Sequence, residues 1–154
     1  MRNRIFYVVT FCILILASGF SEGSVYVPKP NDEKATIVYL TNESFKKMVF
    51  NFEANKAWKY EGTTPALIDF YADWCGPCRT LSPVIEEIAK EYAGKIIVYK
   101  VDTEKEKQLS QSLGITSLPT LLFVPVTGQP QAAMGALPKE TLVKIINDVL
   151  LSKK

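Results

Sequence analysis

No histidine occurs anywhere in the 154 residues. That absence removes imidazole general bases, Ser–His and Cys–His dyads and the commonest nitrogen ligand for zinc in one step. Cysteine is scarce as well: there are three, and Cys12 stands inside an apolar N-terminal run, which leaves Cys75 and Cys78 as a pair. A framework of structural disulfides is not needed, because hydrophobic residues at 47% supply a core of their own. A surplus of one charge is also missing. Lys and Arg number 18 against 16 Asp and Glu, with no block of like charge, so neither nucleic acid nor an acidic membrane surface is indicated as a partner. Internal repeats and low-complexity tracts are absent, and the length suits one compact domain.

What is there begins with an N-terminus unlike the rest. Arg2 and Arg4 precede an apolar stretch from Ile5 to Ala17, and small residues follow at Ser18 and Gly19. A basic start, a short apolar run and a small-residue end predict a secretory signal peptide over residues 1–19. The alternative is an uncleaved membrane anchor, for which the run is short, since a spanning helix needs about 17–25 residues. A lipid anchor on Cys12 fits less well, because bulky Phe11 precedes it and apolar residues continue after it. Removal of residues 1–19 takes away Arg2 and Arg4 and leaves 16 basic side chains against 16 acidic ones. Residues 20–35, with Gly, Ser, two Pro and scattered charge, read as a flexible N-terminal arm. A single domain is expected over residues 36–154.

Within that domain, runs of strand and helix character alternate. Thr36–Leu40 and the apolar Ala66–Tyr71 predict strands, the second buried on both faces apart from Asp69. Thr41 is suited to cap a helix reaching about Asn55, and Trp58–Thr64 reads as a loop. A helix is predicted from Gly76 to Tyr92, a strand over Ile96–Val101 and a charged helix over Glu104–Leu113 with Gly114 as its C-cap. Leu121–Val126 and Gln131–Met134 form a hairpin pattern around Thr127-Gly128. Pro138 then opens a last helix with Leu142, Ile145, Ile146, Val149 and Leu150 on one stripe. The alternation implies an α/β fold, a mixed β-sheet flanked by helices.

The chemistry concentrates in WCGPC at residues 74–78. A structural zinc site wants four ligands and this pair offers two, so a metal requires sharing between chains. As a staple, a disulfide closing so short a loop removes little unfolded-state entropy. The redox reading has local physics behind it. Cys75 falls at the start of a helix, where unpaired backbone N–H groups and the helix dipole favour a thiolate and lower a thiol pKa from about 8.5 into the range of roughly 3.5–7.5. Pro77 suits the first helical turn, and Gly76 gives a partner protein close access. Cys75 is the expected nucleophile; Cys78, one turn further in, is the expected resolving thiol. Asp69, if buried, would have its pKa raised and could exchange a proton with Cys78. Pro83, in mid-helix, should kink the backbone and is read as architectural.

Taken together these residues resemble the thioredoxin family over about residues 36–154, most nearly its exported bacterial members. WCGPC is the family's active-site signature. Asp69 six residues before the first Cys, Pro83 five after the second, Leu-Pro-Thr at 118–120 and Gly135 follow in the family's order. The resemblance implies a thioredoxin fold and a Lys100 lying near Asp69. It also implies a cis Pro119 facing the cysteines, although an X–Pro bond is otherwise cis only about 5–6% of the time. Trp74, Gly76 and Pro77 would support the site. Leu118, Thr120, Gly135 and Ala136 would border a substrate groove, Leu118 offering its backbone to an extended segment. Tyr71 and Arg79 stand where many relatives carry Trp and Lys, and Ala54–Glu61 is longer than in a minimal member, with no role assigned.

The implied function is a protein-disulfide reductase acting on exported proteins. It would use no cofactor beyond the Cys75–Cys78 couple, and no metal. It is expected to be a periplasmic monomer, without stable membrane insertion once the signal is removed, and recharged by a membrane electron donor. Gly76-Pro77 favours a reducing potential of about −270 mV over the oxidants near −120 mV. A disulfide oxidase or isomerase using the same pair, and a thioredoxin-fold binding module, are the alternatives.

Overall fold

The computed structural model describes residues 37–152; the predicted signal peptide and arm lie outside the described residues. Strand β2 (Ala66–Tyr71) occupies the centre of a five-stranded sheet. Beside it β3 (Ile97–Asp102) runs parallel, followed by β1 (Ile37–Tyr39), also parallel. On the other side β4 (Thr120–Val124) and β5 (Gln131–Met134) run antiparallel, giving the order β1-β3-β2-β4-β5. From Ala66 to Phe70 every residue of β2 is buried, as a strand covered on both faces must be.

Side-chain alternation along the strands divides the interior into two cores. On one face Leu67, Val98, Leu121 and Phe123 meet helix α2 (Gly76–Glu91) through Leu81, Ile85 and Ile88, and the C-terminal helix through Leu142, Ile146 and Leu150. On the other face Ile68, Phe70, Tyr99 and Val101 pack on Phe45 of α1 (Asn42–Met48) and Leu109 of α3 (Lys107–Ser112). The parity matters for function. Asp69 shares its face with Leu67, and Lys100 shares its face with Val98, so both point toward α2.

Thr41 does cap α1: its hydroxyl accepts from the Ser44 N–H, and the Ser44 hydroxyl accepts in return from the Thr41 N–H. The helix stops at Met48, well short of the expected Asn55. Val49 leaves helical geometry (φ −122°, ψ −68°), and both Val49 and Phe50 turn into the core, where the next two residues of a continuing helix would diverge. Residues Ala54–Glu61 thereby acquire a place. Trp58 packs against Phe50 with ring centroids 4.7 Å apart, the Tyr60 hydroxyl donates to the Thr64 carbonyl, and the Glu61 N–H donates to the Val49 carbonyl. The stretch is a lid over one end of the second core.

Helix α3 also starts later than expected, at Lys107. Asp102 Oδ1 accepts from the backbone N–H groups of Glu104 and Lys105, turning the chain before a helix can begin. Gly114 ends α3 as predicted, at φ +67°. Helix α2 runs on through Pro83 as a single element. The last helix, α4 (Lys139–Ile145), passes into a π-helical turn over Ile146–Leu150, which still buries Ile146 and Leu150. Strand β4 ends two residues before the expected Val126, which is exposed.

Thr41→Ala removes one half of the reciprocal cap and is expected to cost about 1 kcal/mol, read as a lower urea midpoint at unchanged slope.

Candidate active site

Cys75 is the N-cap of α2. Its backbone is extended (φ −75°, ψ 107°), and its Sγ accepts a hydrogen bond from the Cys78 N–H at 3.2 Å. Sulfur is thus held at a helix N-terminus by a backbone donor, the setting that stabilises a thiolate once the pair is reduced. A disulfide joins Cys75 and Cys78, with Cα atoms 5.3 Å apart. Both residues are buried, at 3% and 4% exposure.

The two cysteines nonetheless open onto different spaces. Cys75 lines a groove of about 520 Å³ together with Trp74, Gly76, Pro77 and the segment Ile115–Leu118. Cys78 lines a separate cavity of about 350 Å³ with Tyr71, Ser82 and Lys100. Trp74 is 68% exposed, a wall of the groove and not a core aromatic.

Behind Cys78 sits a buried ion pair. Asp69 and Lys100 are register partners on adjacent parallel strands, and Lys100 Nζ lies 3.2 Å from Asp69 Oδ2. Asp69 is 0% exposed and Lys100 is 5% exposed. Burial pushes the Asp69 carboxyl above the ordinary carboxylate range, with the Lys100 charge pulling the other way and losing. Lys100 Nζ also donates to Ser82 Oγ at 2.8 Å and stands 4.6 Å from the centre of the Tyr71 ring.

The Leu118–Pro119 peptide is cis, as the family resemblance implied and the bare statistics of X–Pro bonds did not. Leu118 packs on Cys75 and Cys78 and lines the groove, while its backbone N–H and C=O have no partner among the described residues. Gly135 donates its N–H to the Pro119 carbonyl at 2.8 Å from a backbone of φ +90°, which a side chain rarely tolerates. Gly135 therefore braces the proline. Thr120 is 4% exposed, its hydroxyl donating to the Ser117 carbonyl, and Ala136 is exposed. The groove is lined as well by Glu104, Lys107 and Gln111. Those residues, and Ser82, went unnoticed in the sequence. Lys107 and Gln111 lie four apart on one helical face, but only the packing of α3 turns that face toward Cys75.

A disulfide set at a helix N-terminus, with a groove at one sulfur and a buried acid–base pair behind the other, defines a protein of thiol–disulfide exchange. The comparisons agree. The thioredoxin family model matches residues 36–148. Thioredoxin of Borreliella burgdorferi is 47% identical over 111 residues, covering 72% of this chain and 95% of that one. The M-type chloroplastic thioredoxin of Spinacia oleracea is 38% identical over 117 residues, 75% of this chain and 65% of the relative. The crystal structure of chloroplastic thioredoxin z matches with a TM-score of 0.61 at 26% identity, over 73% of this chain and 93% of the other. The chain belongs to the thioredoxin family. It is a protein-disulfide reductase that works through its own cysteine pair and needs no cofactor.

Asp69 makes stability depend on pH with a definite sign. Its folded-state pKa lies above the unfolded value, so the folded protein holds the proton more tightly and loses stability as pH rises from about 3.9 through the folded pKa. Asp69→Asn abolishes that loss. The variant's stability relative to wild type is expected to grow between pH 4 and pH 8, measured by urea unfolding across that range.

Proposed function

We propose that this protein reduces disulfides of exported proteins, with Cys75 as nucleophile and Cys78 as resolving thiol. The observation that carries the assignment of roles is the division of space: Cys75 borders the groove, where a protein segment has room, and Cys78 does not. The Cys75 thiolate attacks one sulfur of the substrate disulfide. The substrate S–S bond breaks, the departing sulfur takes up a proton, and a mixed disulfide remains. Cys78 then gives its proton to Asp69, whose partner Lys100 shares a cavity with Cys78. The Cys78 thiolate attacks Cys75 Sγ, the second substrate sulfur leaves and is protonated, and the Cys75–Cys78 disulfide is restored.

In the groove, the unpartnered backbone of Leu118 beside Pro119 supports docking of an extended segment by strand-like hydrogen bonds. The exposed indole of Trp74 supplies an apolar wall. Export is supported by Arg2, Arg4 and the apolar stretch Ile5–Ala17. A reductase outside the cytosol must regain two electrons and two protons per cycle, for which a membrane electron donor is the natural source. The protein acts as a monomer in this reading. No helix among the described residues is long and apolar enough to cross a membrane.

Cys75→Ser is expected to abolish insulin disulfide reduction, whereas Cys78→Ser accumulates a mixed disulfide visible on a non-reducing gel. Equilibration against glutathione buffers is expected to give a potential near −270 mV; a value well above about −200 mV overturns the reductase direction. N-terminal sequencing of protein from the periplasmic fraction is expected to begin near residue 20. An intact Met1 in the membrane fraction refutes cleavage.

A further inference from the structure

The Lys100 ammonium is almost wholly buried, and its surroundings can be accounted for donor by donor. It has three N–H groups to place. One side faces Asp69 Oδ2 at 3.2 Å, and another donates to Ser82 Oγ at 2.8 Å. No further oxygen among the described residues accepts from it. On its remaining side the ammonium stands over the face of Tyr71, 4.6 Å from the ring centre, inside the range of a cation–π contact. A buried ammonium short of a partner is costly, so the ring fills a place that matters. Tyr71 is also well fixed. It follows Asp69 by two residues and so shares its face of β2. Its carbonyl accepts from both the N–H and the hydroxyl of Thr103, and its side chain packs on the cluster of Ala72, Cys75 and Cys78.

We propose that the face of Tyr71 is the third partner of the Lys100 ammonium, which makes Tyr71 a positioning residue that seats the cation beside Asp69. The phenol hydroxyl has no part in this contact. The seat also works without the charge of the carboxylate: when Asp69 is protonated, the ammonium loses its counter-charge but keeps the ring and Ser82. The cation thus stays in place while Asp69 holds the proton of Cys78. That consequence rests on the role given to Asp69 above; the contact itself does not. The other titratable or charged groups around the cavity are Tyr39 from β1, Asp73 from the loop after β2, and Cys78 and Arg79 from α2. Asp102, the β3 register partner of Tyr71, is engaged by Lys105 at 2.8 Å, and the β4 partner of Asp69 is the uncharged Leu121. Among the described residues only Lys100 is within ion-pair distance of the Asp69 carboxylate. With the aromatic face removed, the ammonium is free to move into the cavity and acts less on the carboxylate.

The test is a 13C-carboxyl NMR titration of Asp69 in the full chain in its oxidised form, which needs no turnover and so does not depend on the exchange mechanism. Tyr71→Leu is expected to move the Asp69 midpoint upward by about half a pH unit, part of the roughly one to three units by which a paired cation lowers a carboxyl. An unchanged or lowered midpoint overturns the proposal. Tyr71→Phe keeps the face without the hydroxyl and is expected to leave the midpoint at the wild-type value; a shift as large as that of Tyr71→Leu overturns the assignment to the ring. In a Lys100→Met background, Tyr71→Leu is expected to add nothing, and an equal shift there shows that the effect bypasses Lys100 and also overturns it. The unsubstituted protein gives a readout of its own. The Lys100 ammonium protons are expected upfield of those of the other lysines through the ring current of Tyr71, and an ordinary lysine position refutes the contact.

Discussion

The parallel pairing of β2 with β3 is the constraint on which the site depends. Register sets Asp69 beside Lys100, and strand alternation turns both toward α2. Two groups that are each expensive to bury become tolerable as neighbours, and neither could be moved by one residue without crossing to the opposite core. The same strand, on leaving the sheet at Tyr71, delivers the chain to Cys75. One apolar strand therefore determines where the acid stands and where the sulfur begins.

Local rules read well where the cause was local. The Thr41 cap, the Gly114 stop, the strand periodicity and the helix start at Cys75 all follow from a few adjacent residues. Sequence failed where long-range packing overrode propensity. Helix α1 ends early because Val49 and Phe50 are needed in the core, and α3 begins late because Asp102 claims the backbone donors ahead of it. The cis peptide before Pro119 came only from family likeness, since nothing in the dipeptide itself favours it. Asp69 and Lys100 were recognisable, but Ser82, an ordinary helix serine on sight, gained meaning only through the side chain that reaches it. Thr120, expected along the groove, is buried with its hydroxyl on the Ser117 carbonyl, and Gly135 holds the Pro119 carbonyl.

The groove and the cavity give the two cysteines different surroundings. The groove at Cys75 has a mixed lining, the indole of Trp74 together with Glu104, Lys107 and Gln111. Cys78 opens instead on the cavity that Ser82 and Lys100 line. The lid formed by Ala54–Glu61 closes one end of the second core, and none of its residues lines the groove or the cavity.

The spacing of the two cysteines acquires a reason from the cap itself. An N-cap side chain reaches the N–H of the second or third helical residue. Here the second is Pro77, which has no N–H, so the third is the only donor available, and the third is Cys78. The backbone of Cys78 therefore holds the sulfur to which its own side chain is bonded. Inserting or deleting one residue between them would separate the anchor from the bonded sulfur, so the two-residue gap is a length measured out by the first turn of a helix.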